Sequence, residues 1–230
     1  MSQLLPGVFR VDGAGRPGMP GSLNVCLLVA ENGEITLVDT AFPGILEPLR
    51  ATLAETGVPN PSVRRIIITH HHPDHTGGIA EVVAEWGCDV WAHRDDAPLI
   101  SAAKSPGGVA NAEGGQVVGP PRIDLQLAGF EVLDVLGGCH ILPTPGHTPG
   151  HLSLFLPERS LLIAGDIVRY ENGVVTRAPE MYTADPERSE QSLQQLAQLD
   201  FEHLLPYHGD FLAQGAGARL RHDLELGEGR

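Results

Sequence analysis

The stretch Thr69-His70-His71-His72-Pro73-Asp74-His75 constrains this chain more than any other. It leaves Arg65 to Thr69, a β-branched run typical of a strand buried on both faces, and it enters a helical pattern at Gly77. Its side chains therefore project from the end of a sheet. Pro73 biases His72 toward extended geometry, and in an extended segment residues i and i+2 point the same way. His70 and His72 can thus share one cation, while His71 should point elsewhere. The turn at Pro73 swings Asp74 and His75 to the other side, where they can hold a second cation, and Gly77-Gly78 lets backbone pass close to them. A merely solvated histidine-rich turn does not call for four ligand groups within six residues directly after a buried strand.

Strand and helix patterns alternate around this motif. Val8 to Val11, Leu23 to Ala30 and Glu34 to Asp39 read as strands, the last two joined by the Asn-Gly signal of Glu31-Asn32-Gly33. Apolar spacing predicts helices over Gly44 to Thr56 and Gly77 to Trp86, with Asp89 to Ala92 returning to strand. Further strands are expected at Ile123 to Leu127, Glu131 to Leu136, His140 to Pro143, Leu161 to Ala164 and Leu204 to Tyr207. A helix is expected from Pro186 to Leu199, capped by Asp185. The segment Ser153 to Asp166 repeats the earlier hairpin at an offset of 127 residues, so that Leu27-Leu28-Val29 matches Leu154-Phe155-Leu156 and both hairpins end in an aspartate, Asp39 and Asp166. That repeat suggests two related sheets packed face to face with helices outside. The glycine- and proline-rich segments Asp12 to Asn24 and Ser105 to Pro121 read as loops that can act as lids.

Composition narrows the function classes. With 230 residues, 42% apolar and 19% charged, the chain is expected to form one domain over residues 1–230. A net charge of −14 opposes nucleic acid and anionic membranes as partners. Cys26, Cys88 and Cys139 are far apart and odd in number, which indicates buried small hydrophobes rather than a disulfide framework. No leader or membrane-spanning pattern is read, so the expected compartment is the cytoplasm. The oligomeric state is not legible.

Three more potential ligands each follow a predicted strand: His147 in Thr144-Pro145-Gly146-His147-Thr148-Pro149-Gly150-His151, Asp166 in Gly165-Asp166, and His208 in Tyr207-His208-Gly209-Asp210. Together with His70 to His75, these motifs, in this order, resemble the metallo-β-lactamase-fold superfamily of metal hydrolases, nearly along the whole chain. The resemblance implies an α/β fold, an αββα sandwich of two mixed sheets with helices on the outer faces. It implies His70, His72 and His147 as ligands of one divalent metal, Asp74, His75 and His208 as ligands of a second, and Asp166 as the bridge. The donor set suits zinc, with iron or manganese also possible. Asp39 resembles the family's aspartate that accepts the other N–H of a ligand histidine, and His151 reads as a hydrogen-bonded structural residue. The implied chemistry is attack by a metal-bridging hydroxide, with Asp74 also moving the proton and Tyr170 or Tyr182 as candidate hydroxyl donors to an oxyanion.

Within the superfamily, an aspartate bridge looks more like glyoxalase II, the acyl-homoserine lactonases and related esterases than like the zinc β-lactamases. Glyoxalase II usually adds a helical domain after the last histidine ligand, whereas 22 residues follow His208, which argues against glutathione thioesters. The expected substrate is a small acyl ester, lactone or thioester. A second reading is a persulfide dioxygenase, which would hold one iron through His70, His147 and Asp166 and use Arg169 and Arg177 for substrate carboxylates. A third, a noncatalytic binding module, fits poorly with a complete set of ligand positions.

Overall fold

The computed structural model describes residues 2–15, 23–102 and 121–226. Strands β1 (Gln3–Leu5), β2 (Val8–Arg10), β3 (Cys26–Val29), β4 (Ile35–Val38), β5 (Val63–Ile68), β6 (Asp89–His93) and β7 (Leu125–Leu127) form one sheet in chain order. Its first four strands are antiparallel neighbours, and β4 to β7 run parallel. Helices α1 (Leu46–Glu55), α2 (Pro73–Thr76), α3 (Ile79–Trp86) and α4 (Ala97–Ala102) fall between these strands. The second sheet contains β8 (Val132–Leu133), β9 (Cys139–Pro143), β10 (Leu152–Leu156) and β11 (Leu161–Gly165). After a separate hairpin of β12 (Val168–Glu171) and β13 (Val174–Arg177) and helix α5 (Pro186–Leu196), β14 (His203–Pro206) joins this sheet parallel to β11. Helix α6 (Ala216–Asp223) follows.

The period-2 alternation of strand side chains explains the layering. Leu27, Leu37, Ile66 and Ile68 pack outward with Leu49 and Leu53 of α1 and Ile79 and Val82 of α3. Their neighbours Cys26, Leu28, Val38 and Ile67 face inward onto Leu154, Leu156, Leu161 and Ile163 of the second sheet. Leu162, Ala164 and Leu204 then meet Leu193 and Leu196 of α5 and Leu220 of α6. The result is the αββα sandwich. All three cysteines are free and buried in it. Among the described residues, no helix is long and apolar enough to cross a membrane.

The two hairpins of the internal repeat occupy equivalent places. β3 and β4 pair antiparallel and β4 then takes β5 as a parallel neighbour, as β10 and β11 pair antiparallel and β11 takes β14. Asp39 and His70 leave one parallel pair, and Asp166 and His208 leave the other.

Several expectations are revised. The strand expected over Glu131 to Leu136 is confined to Val132–Leu133, because Phe130 and Leu136 both adopt left-handed backbone (φ 71° and 52°). The β12–β13 hairpin, Val168 to Arg177, was not among the expected strands. Its two-residue turn, Asn172-Gly173, has φ of 53° and 77°, the type I′ geometry that an Asn-Gly pair favours. Helices α2, α4 and α6 were not expected. The cap of α5 matches expectation, with the Asp185 side chain accepting from the Arg188 N–H at 3.0 Å. Most of the two proposed lid loops, residues 16–22 and 105–120, lies outside the described residues.

Gly146 shows how tightly the second sheet's loop is seated. Its φ is +135°, and a Cβ there would lie 2.2 Å from the Ser189 backbone nitrogen on α5. Gly146→Ala is expected to destabilise the protein by about 3 kcal/mol, the upper end of overpacking costs. Urea unfolding checks this, and an unchanged midpoint would refute the close approach.

Candidate metal centre

Every potential ligand sits just beyond the carboxyl end of a strand, His70 to His75 after β5, His147 after β9, Asp166 after β11 and His208 after β14, and Asp39, expected to support a ligand, follows β4 in the same way. His72 is extended (φ −64°, ψ 150°) ahead of Pro73, which opens α2; the turn brings the His75 ring back against that of His70, with centroids 3.8 Å apart, while Asp74 lies beside His208. His71 does point elsewhere, onto Asp96.

Two groups of ligand atoms result. In His70, His72, His147 and Asp166, and separately in Asp74, His75 and His208, the atoms lie within 4.8 Å of one another. His72 Nδ1 stands 2.9 Å from His70 Nε2 and 3.1 Å from His147 Nε2. Asp166 Oδ2 lies 3.6 Å from His147 Nε2 and 3.3 Å from His208 Nε2, and Asp166 Oδ1 lies 3.4 Å from His75 Nε2. Asp74 Oδ2 closes the second group at 3.2 Å from His208 Nε2.

Electrostatics divides the groups. Burial holds His70 well below the ordinary imidazole range, lowers His72, and brings His147 down to about 4, so this trio is neutral with lone pairs available. Burial opposes charge on His75 and His208 too. There Asp39 and Asp166 outweigh it and raise His75 to about 10, while hydrogen bonds to Asp166 and Asp74 raise His208 to about 9. Asp166 is correspondingly held well below the carboxylate range, against its burial, by His75 and His208.

These donors fit metal ions. Three neutral imidazoles converge on one point, where a single proton cannot satisfy both close approaches to His72. His75 Nε2 and Asp166 Oδ1 are buried and face each other at 3.4 Å, and neither makes a formed hydrogen bond among the described residues, so both keep electron pairs or protons that a cation between the groups would engage or replace.

Surrounding residues lock the ligands. Asp39, itself in left-handed backbone (φ 62°), accepts from His75 Nδ1 at 2.9 Å and from the Thr69 hydroxyl and N–H at 2.8 Å each. His151 accepts the Asp166 N–H at 3.0 Å through Nε2, and its Nδ1 lies 2.8 Å from the Thr144 hydroxyl. Three contributors were not found by reading the sequence. Tyr207 stacks on His75 at 3.7 Å between ring centroids and donates its hydroxyl to the Asp74 carbonyl. Asn24 staples the His208 segment by donating to the Pro206 and Gly209 carbonyls. Asp96 is the third.

The predicted tyrosines do not join the ligand groups. Tyr170 packs its ring against the outer core under α5 and α6, a correction to its expected place as oxyanion donor: strand alternation sends Val168 and Tyr170 to that face together. Tyr182 is 54% exposed on a short turn, and Ala184 just beyond it donates to the His147 carbonyl. Arg177 is committed to Glu190 and the Leu224 carbonyl.

An αββα sandwich with imidazoles and carboxylates gathered at one end of both sheets defines a metal-binding α/β protein. A family profile described as Metallo-beta-lactamase superfamily matches residues 19–208, and the chain belongs to that superfamily. It is 31% identical over 185 residues to the Probable metallo-hydrolase YflN of Bacillus subtilis (strain 168), covering 70% of this chain and 69% of that protein. It is 34% identical over 125 residues to a hydroxyacylglutathione hydrolase of Dechloromonas aromatica (strain RCB), covering 54% of this chain but only 37% of the relative. Among solved structures it is similar to TTHA1623 in a di-iron-bound form, at 29% identity and a TM-score of 0.67, covering 88% of this chain and 95% of the other.

Proposed function

We propose that this chain is a dinuclear metal-dependent hydrolase of a small acyl ester, lactone or thioester. The observation that carries the reading is Asp166, whose one carboxylate faces both donor groups, toward His147 on one side and His75 and His208 on the other. His70, His72 and His147 would hold one divalent cation and Asp74, His75 and His208 the other. Imidazole and carboxylate donors suit zinc, and iron or manganese accept the same set. Two such cations supply a Lewis acid for the substrate carbonyl and lower the pKa of water, so that a nucleophile is available at neutral pH.

The chain's own residues do the rest. Asp74 is 23% exposed beside His208, and His208 and His75 hold its carboxyl below its ordinary range against the opposing effect of burial. It is therefore ionised and open to the solvent side, where its carboxylate can take a proton and return it to the leaving group. Asp39 and Tyr207 fix the His75 ring from its edge and its face. Of the two tyrosines, Tyr182 is the exposed one, two residues before the Ala184 N–H that donates to the His147 carbonyl. The relative named for hydrolysis of an acylated glutathione supports the acyl class, while the −14 charge opposes polyanionic partners.

The test is metal analysis of protein purified without a histidine tag, followed by a panel of esters, lactones and thioesters with and without chelator. Two divalent ions per chain and chelator-sensitive hydrolysis are expected. About one iron per chain, with oxygen consumed in the presence of a persulfide, would replace this reading by the dioxygenase.

A further inference from the structure

Asp96 occupies the place of a helix cap and spends its side chain elsewhere. Its carbonyl accepts the Leu99 and Ile100 N–H groups at 2.9 and 3.0 Å, which makes it the residue that opens α4. An aspartate there ordinarily folds its carboxylate back onto the first N–H groups of the helix. This carboxylate is buried and turned to two other loops. Oδ2 accepts from the His71 N–H at 2.9 Å, from His71 Nδ1 at 2.9 Å and from the Thr148 hydroxyl at 2.8 Å. Oδ1 accepts the Gly150 N–H at 2.7 Å.

Those partners are placed tellingly. His71 lies between His70 and His72, and Thr148 directly follows His147. The two loops leave different sheets, β5 in the first and β9 in the second. One carboxylate thus ties together the two chain segments whose imidazoles approach within 3.1 Å at His72 and His147. The hydrogen bonds from His71 and Thr148 keep it ionised despite its burial, so the four bonds are charge-assisted and short.

We infer that Asp96 is a positioning residue for the His70, His72 and His147 group, setting the separation of its two halves before a cation enters. The inference rests on the metal reading of that group. Residues that hydrogen-bond a metal ligand directly change metal affinity by about 10–100-fold when removed; Asp96 bonds no ligand and acts through the two loops that carry them, which places it at the lower end of that range.

Cobalt(II) titration of chelator-stripped protein, followed by visible absorbance and chelator competition, tests this. His208→Ala serves as the common background, so that the second group is disabled and binding reports the three imidazoles. Asp96→Ala is expected to weaken cobalt by about 10-fold, the lower end of the range for direct ligand partners, and to alter the absorption band. Thr148→Val, which removes one of the four bonds with little change of shape, is expected to do so to a smaller degree, and Asp96→Asn to recover part of the affinity. If Asp96→Ala does not fold, Thr148→Val and Asp96→Asn decide the matter. Wild-type affinity and spectrum in both would overturn the role of Asp96. Failure of the unsubstituted protein to take up cobalt would overturn the metal reading itself.

Discussion

Asp166→Asn is expected to lower both metal retention and turnover by about 100-fold or more, beyond the effect typical of residues that only support a ligand. The substitution preserves shape, and the Asp166 N–H to His151 bond at 3.0 Å involves main chain that an asparagine retains. What changes is charge and donor sense. Asp166 Oδ2 stands between His147 and His208, and the buried Oδ1 faces His75 Nε2 at 3.4 Å. An amide there gives one neutral oxygen and one NH2 group, which cannot offer lone pairs to both donor groups. The metal-free state suffers as well, since His75 and His208 lose the carboxylate that supports their charge. Elemental analysis and steady-state kinetics on the same preparation decide it. Near-normal metal content and activity would remove the bridged two-metal reading.

The same residues show what a sequence can and cannot disclose. His70, His72, Asp74 and His75 were legible because a β-branched strand, a proline and a short spacing set their directions locally. His147, Asp166 and His208 were legible as strand-end residues, but their convergence depends on sheet pairing, β11 beside β14 and one sheet facing the other. Asp96 was hidden by its resemblance to a helix cap, since only tertiary structure reveals that its carboxylate turns away from its own helix. Tyr170 fails for the opposite reason. Four residues past Asp166 looked near enough, yet the Asn172-Gly173 turn makes a hairpin whose alternation sends the ring outward. That turn pair was visible in the sequence; the direction of the strand leading to it was not.

Asp39→Asn is expected to weaken metal at the Asp74, His75 and His208 group by about 10–100-fold and to flatten the pH dependence of the metal-free protein. Asp39 Oδ2 accepts from both His75 Nδ1 and the Thr69 hydroxyl. If Oδ1 keeps the Thr69 N–H, the amide turns its NH2 toward the His75 Nδ1–H inside the core, and although the Thr69 hydroxyl can reverse to accept, the unmet imidazole N–H costs about 1–3 kcal/mol. The pH argument has a definite sign. His75 and His208 are raised from 6.5 to about 10 and about 9 in the folded, metal-free chain. Their contribution to stability is fully present below pH 6.5, where both states carry the protons, and is lost as pH rises through 9 and 10. Stripped wild type should therefore become less stable between pH 7 and 10. Metal-loaded protein should escape that loss, because its ligand histidines are already deprotonated, so the thermal shift produced by metal grows with pH. In Asp39→Asn the largest charge supporting His75 is gone while Asp166 still supports it, so the decline in the stripped protein should become smaller without vanishing. Melting temperatures of stripped and loaded protein at pH 7, 8, 9 and 10 test both statements. A stripped wild type that gains stability over this range would mean that His75 and His208 are not held as cations by Asp39, Asp74 and Asp166.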